Sequence, residues 1–178
     1  MTNCFQFKTQ SILQHGLSVH DHYLKIIQAL DSKDYSYYQF PQHLKDIWPK
    51  VKKRLYHSDL LKQYHTYHDC GKPFCAETDM SGRRHFKNHA LVSYDIYTQI
   101  FSDDIVAKLI RYDMMLHAGT DEEIAVFVKE NDKRFLFSLW MTSLAEIYSN
   151  ADMFEAQHRM PGFKPKYDRL VKLLESAV

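Results

Sequence analysis

Apolar residues recur along most of the chain at the three- and four-residue intervals that place them on one face of a helix. From Ser11 to Leu30 the stripe runs through Leu13, Leu17, Leu24, Ile27 and Leu30, broadened by Val19, Tyr23 and Ile26. Leu44, Ile47, Trp48, Val51 and Leu55 predict a second helix over 43–56, with Pro49 tolerated only through a kink or break. Ser58 or Asp59 caps a third, in which Leu61, Tyr64 and His68 share a face. A fourth begins near His89 and turns Ala90, Tyr94, Tyr97 and Phe101 inward. Ser102-Asp103-Asp104 caps a helix with Val106, Leu109, Ile110, Asp113 and Leu116 or His117 on one side. Thr120-Asp121-Glu122-Glu123 is a capping box that opens a short helix reaching about Lys129. A long helix over 135–154 carries Leu136, Leu139, Ser143, Ile147, Ala151 and Phe154, and a final one carries Leu170, Leu173 and Leu174. Asp31 to Pro41 and Pro73 to Arg84 read as connections, and no strand-like alternation is visible. The pattern predicts an all-α fold.

Composition narrows this to a single-domain helical bundle over residues 1–178, because 178 residues with 45% hydrophobic content suffice for one core and are too few for two. A net charge of +1 provides no global field for nucleic acid or an anionic membrane, so any phosphate affinity must be local. The basic run Lys50, Lys52, Lys53 and Arg54 reads as a solvated helix face. The N-terminal residues lack the pattern of a signal peptide, and the most apolar short run, Phe135 to Met141, is far below spanning length. Three cysteines, Cys4, Cys70 and Cys75, do not make a disulfide framework. The expectation is a cytoplasmic protein with no membrane partner.

Chemistry concentrates in Tyr64-His65-Thr66-Tyr67-His68-Asp69-Cys70-Gly71-Lys72, which sets an imidazole, a carboxylate and an ammonium beside one helix end. His68 continues the apolar stripe inward, and Asp69 follows about 100° further round. A buried carboxylate beside a buried imidazole needs a partner. Both can reach one cation only if the helix ends there, and Gly71 in the left-handed conformation is a natural stop. Cys70 and Cys75 with His65 and His68 have the wrong spacing for a zinc knuckle.

His68-Asp69-Cys70-Gly71-Lys72 reads H-D-x-G-K and resembles the central motif of the HD-domain metal-dependent phosphohydrolases. Upstream, Ser18 to Ile27 is similar to the family's first helix, which supplies one histidine ligand; Val-x-x-His-x-x-x-Ile converges on His22, with His15 and His20 as rivals. Downstream, Ala145 to Asp152 is similar to the closing motif, whose Ala-Asp supplies the last carboxylate and points to Asp152. His85-Phe86-Lys87-Asn88-His89 reads H-F-x-x-H, the phrase in which two-metal relatives bind a second cation, so His89 becomes the candidate second-metal ligand. Asp113 stands where such relatives usually show a histidine, with His117 one turn on, and either could be the further ligand.

The resemblance implies an HD-domain-like bundle in which His22, His68, Asp69 and Asp152 hold one divalent cation. A second ion would take Asp69 as bridge, His89, and Asp113 or His117. Mixed imidazole and carboxylate ligation suits Mn, Fe, Co, Ni, Zn or Mg. Lys72, Arg83, Arg84, His85 and His117 are candidates for gripping phosphate oxygens, and Arg159, Lys164 and Lys166 for a phosphate-binding rim. The implied reaction is hydrolysis of a phosphomonoester or phosphodiester by metal-activated water, on a nucleotide, another phosphorylated small molecule or a nucleic-acid end. The alternative is a degenerate HD domain that binds a nucleotide or protein partner without turnover.

Overall fold

The structure is a computed structural model that describes the chain apart from residues 3, 8, 9, 83, 154–163 and 178, and apart from the side chains of residues 6, 7 and 174–177. It is predominantly helical, and no helix among the described residues is long and apolar enough to cross a membrane. The chain divides into two compact units, Met1–Ser18 with Ser58–Met114, and Val19–His57 with Met115–Val178.

The first unit opens with strands β1 (Phe5–Phe7) and β2 (Gln10–Ser11) and the start of helix α1 (Ile12–Ser32). It continues with α3 (Ser58–Tyr67), a 3-10 turn at Lys72–Phe74, β3 (Ala76–Thr78), β4 (Arg84–Phe86), α4 (His89–Ile100) and α5 (Asp104–Arg111). Leu61, Tyr64, Tyr97, Val106, Leu109 and Ile110 form its core. The Tyr97 and Phe101 rings stack with centroids 4.9 Å apart, and Tyr67 tilts against Phe101 at 5.1 Å. The second unit holds the rest of α1, α2 (Gln42–Lys52), α6 (Met115–Ala118), α7 (Asp121–Glu130), α8 (Lys133–Met153) and α9 (Lys164–Ala177). Its core includes Val19, Ile26, Leu44, Val51, Ile124, Phe135, Leu139 and Met141. α9 is tied to α8 where the Trp140 indole N–H donates to the Leu170 carbonyl at 2.6 Å.

Four details depart from the sequence reading. Pro73 to Arg84 is not wholly a loop: β3 and β4 pair antiparallel with Glu77 opposite His85, and β1 pairs with β2. Strands of two or three residues are too short to display alternation. The buried face of α1 runs through Ile12, His15, Val19, His22, Ile26 and Leu30, whereas Leu17 and Leu24 are about half exposed. The helix expected to carry both Asp113 and His117 is broken: α5 stops at Arg111, and Asp113 lies in the turn before α6. Gly71 is not left-handed; its φ of −79° and ψ of −18° lie in the right-handed region.

Steric room is what Gly71 supplies. A Cβ there would stand 2.5 Å from the Ser93 nitrogen and 2.8 Å from the His89 carbonyl oxygen, so only a hydrogen allows the turn to rest on the first turns of α4. Gly16 plays the same part between α1 and α3, where a Cβ would meet the His65 carbonyl oxygen at 2.4 Å and the Thr66 Cα at 3.1 Å. Glycine in a helix interior ordinarily costs about 0.5–1 kcal/mol relative to alanine. Gly16→Ala should nevertheless destabilise the protein, by about 1–3 kcal/mol through overpacking against backbone. Denaturant unfolding checks this, and a more stable variant would contradict the close contact.

Candidate metal centre

α3 ends at Tyr67, and the chain then winds through His68, Asp69, Cys70 and Gly71 in consecutive turns. Ser93 on α4 fastens this segment twice: the Gly71 N–H donates to its Oγ at 2.8 Å, and the Cys70 thiol donates to its carbonyl at 3.6 Å. The anchoring leaves Asp69 pointing inward with 1% exposure.

Four side chains of the first unit meet at that carboxylate. The Lys72 ammonium lies 2.5 Å from Asp69 Oδ2, and the His68 and His15 Nε2 atoms approach the same oxygen at 3.4 and 3.8 Å. His89 Nε2 faces the other oxygen, Oδ1, at 3.3 Å. Burial alone would push the Asp69 carboxyl up; the charge of His68 and of Lys72, with His15 behind them, holds it well below the usual carboxylate range. Lys72 also lies over the Phe86 ring, 5.5 Å from its centroid, so β4 helps to fix its direction.

The imidazoles are oriented from behind. The His68 Nδ1–H donates to the His65 carbonyl at 2.8 Å, and the His89 Nδ1–H donates to the Phe86 carbonyl at 2.8 Å. A carbonyl only accepts, so each ring carries its proton on Nδ1, and a neutral ring then presents a lone pair at Nε2. An Nε2 that faces an ionised carboxylate carries a proton, as the pull of His68 on Asp69 implies, or shares a cation with it. Orientation of a ring by a backbone carbonyl, with the other nitrogen turned inward, is the arrangement of metal-ligating histidines. The imidazole nitrogens of His15, His68 and His89 and the carboxylate of Asp69 are donor types that divalent cations take.

Asp113, in the same unit, is buried and accepts a 2.5 Å hydrogen bond from the Tyr64 hydroxyl. The Tyr64 ring in turn meets the His68 ring edge-on, with centroids 6.2 Å apart. Arg84 donates to the Phe5 carbonyl at 2.8 Å, and His85 pairs with Asp79 at 2.7 Å, so both are engaged on the hairpin side of the unit. Arg83 and Arg159 lie outside the described residues.

The remaining candidates belong to the second unit. His22 and Asp152 contact each other, Nε2 to Oδ2 at 3.0 Å. His22 Nδ1 meets the Tyr38 hydroxyl at 3.0 Å, and the Tyr37 hydroxyl donates to Asp152 Oδ1 at 2.9 Å. Burial lowers the His22 pKa, against an opposing pull from Asp152. His117 pairs with Glu146 at 2.9 Å. Lys164 bonds Asp168, and Lys166 is exposed.

Sequence reasoning did not single out Tyr64, Ser93 or the His65 carbonyl as supports, and it left His15 second to His22. For His15 the available signal was its neighbour: a glycine inside a strongly periodic helix marks a close approach. The chain matches no protein-family model and no curated protein, and no solved structure matches it.

Two substitutions test the electrostatics without reference to activity. With a chelator present, Lys72→Met should cost about 3–5 kcal/mol, because it leaves the buried Asp69 charge without its ammonium. Tyr64→Phe should cost about 1–3 kcal/mol by removing a donor from buried Asp113. Both are read by chemical denaturation, and near-zero values would show that these carboxylates do not depend on those partners.

Proposed function

We propose that the protein is a metal-dependent phosphohydrolase whose reaction centre is built on Asp69. The single observation that carries this reading is the convergence of the His15, His68 and His89 Nε2 atoms on one buried carboxylate that also holds Lys72. Together with the H-D-x-G-K and F-x-x-H phrases, it supports an HD-domain-like phosphoester hydrolase rather than an isolated structural ion pair.

His15 and His68 flank Oδ2 of Asp69 and His89 flanks Oδ1, so these four residues are the ones that would hold a divalent cation. When bound, a divalent ion lowers the pKa of a water it holds toward about 7 and polarises the phosphoryl oxygen. The chain's own residues do the rest. Carbonyls of His65 and Phe86 keep the His68 and His89 rings in the ligating tautomer. Lys72, fixed beside Asp69 and over Phe86, offsets negative charge growing on the phosphoryl group. Of the histidines on α1, His15 is the one we assign to this centre, using donors of the first unit alone. A nucleotide or a nucleic-acid end bearing a phosphoester is the proposed substrate class, and Mn, Fe, Co, Ni, Zn or Mg the proposed metals.

The second reading, a degenerate domain that binds without turnover, draws on Asp113, which occupies the place of a usual histidine ligand and is bonded to Tyr64. Elemental analysis of the purified protein, followed by assay of bis-p-nitrophenyl phosphate, nucleoside monophosphates and 2',3'-cyclic nucleotides with Mn, Ni or Mg, separates the two. Metal-dependent hydrolysis is expected, with His15→Ala, His68→Ala, Asp69→Asn and His89→Ala each losing at least about 100-fold in metal affinity or activity. His22→Ala should leave metal affinity unchanged. A protein that binds no divalent ion and is inert on every ester would sink the proposal.

A further inference from the structure

In the second unit, α2 ends at Lys52, and the chain keeps its winding through Lys53, whose φ of −64° and ψ of −18° are right-handed. The Arg54 N–H donates to the Val51 carbonyl at 2.9 Å, and the Leu55 N–H donates to the Lys52 carbonyl at 3.3 Å. Lys50, Lys53 and Arg54 are thus three and four residues apart on one winding, the spacing at which side chains become neighbours, and all three are exposed. Lys52 turns instead to Asp31, at 2.7 Å.

Tyr56 fastens this end of α2 to the start of α8. Its N–H donates to Ser138 Oγ at 3.1 Å, and the Arg134 guanidinium lies over its ring, 4.8 Å from the centroid. Arg134, also exposed, is thereby brought beside the cations that follow α2. Like charges one turn apart destabilise each other. The helix dipole favours cations in the last turn of α2, but Lys133 and Arg134 open α8, at the end where it disfavours them. Asp132 offsets this only in part, as the cap that accepts from the Arg134 and Phe135 N–H groups. An anionic partner relieves a concentration of like charge that packing does not require.

We propose that Lys50, Lys53, Arg54 and Arg134 form a docking surface for the phosphodiester backbone of a nucleic-acid strand. A guanidinium held over an aromatic face is pre-ordered and keeps its N–H donors for phosphate oxygens, while the lysines add point charges. Such contacts position a strand without reading its bases. A lipid surface fits less well. Among the described residues, none of the exposed large apolar side chains lies within 42–57 or 129–140, so the patch lacks the apolar wedge of a membrane-surface helix. The surface needs neither a metal nor turnover and stands apart from the Asp69 reading.

Fluorescence anisotropy of the full chain with labelled oligothymidylate about 20 nucleotides long, in the presence of a chelator, tests this. Saturable binding at low salt is expected, with log affinity falling against log salt at a slope of about −3, or about −0.7 for each phosphate met by one of the four cations. Lys50→Gln/Lys53→Gln/Arg54→Gln should weaken binding at least about tenfold and flatten the slope to about −1, with the melting temperature kept. Lys50→Arg/Lys53→Arg should retain both affinity and slope. His89→Ala, at the Asp69 centre, should bind as the unaltered chain does. Full affinity or an unchanged slope in the triple variant would overturn the proposal. So would loss of binding in His89→Ala, or equally tight binding of phosphatidylglycerol vesicles or polyglutamate.

Discussion

A carboxylate with 1% exposure, surrounded by three imidazoles and an ammonium, is the arrangement on which the first unit turns. Isolated, a buried Asp69 anion would cost several kcal/mol in lost hydration. Lys72 offsets that cost directly, and the imidazoles add to it only in so far as they hold a proton or share an ion. Local structure serves this end. α3 stops just short of His68, the following turns aim Asp69 inward, and the backbone carbonyls of His65 and Phe86 settle the ring tautomers.

Much of this was legible from residue order. Helix existence followed from periodicity, and the caps at Asp103 and Thr120 are present as side-chain bonds to Val106 and Glu123. His68, Asp69, Lys72 and His89 were recognisable as one group because their motif phrases name them, and the structure gathers them in one unit. Which α1 histidine lies beside Asp69 was not legible. His15 and His22 are separated by about two helical turns, so a 3.6-residue period places both on the same face and cannot tell them apart. Packing distinguishes them: Gly16 lets the start of α1 approach the α3 backbone, whereas His22 is enclosed by Tyr38, Tyr148 and Asp152.

The misread phase of α1 has a related cause. Leucines at 13, 17 and 24 give a plausible stripe, yet the buried one includes His15 and His22, which a hydropathy reading counts as polar. Polar residues that face inward for functional or hydrogen-bonding reasons bias a period fit away from the true face. A similar limit applies at Asp113 and His117. Their i,i+4 spacing invites a shared role, but that spacing has meaning only inside an unbroken helix, and the turn after Arg111 removes it.

The contacts made possible by Gly16 and Gly71 are backbone to backbone. A side chain that is crowded can be accommodated by trimming its neighbour, but a peptide group cannot be trimmed. Sequence drift at these two positions is therefore closed in a way that it is not for the surrounding core, where one apolar shape can be traded for another. A chain that lost either hydrogen could keep every helix and still lose the coincidence of rings around the carboxylate, so a single methyl group would separate the fold from the gathering of those side chains.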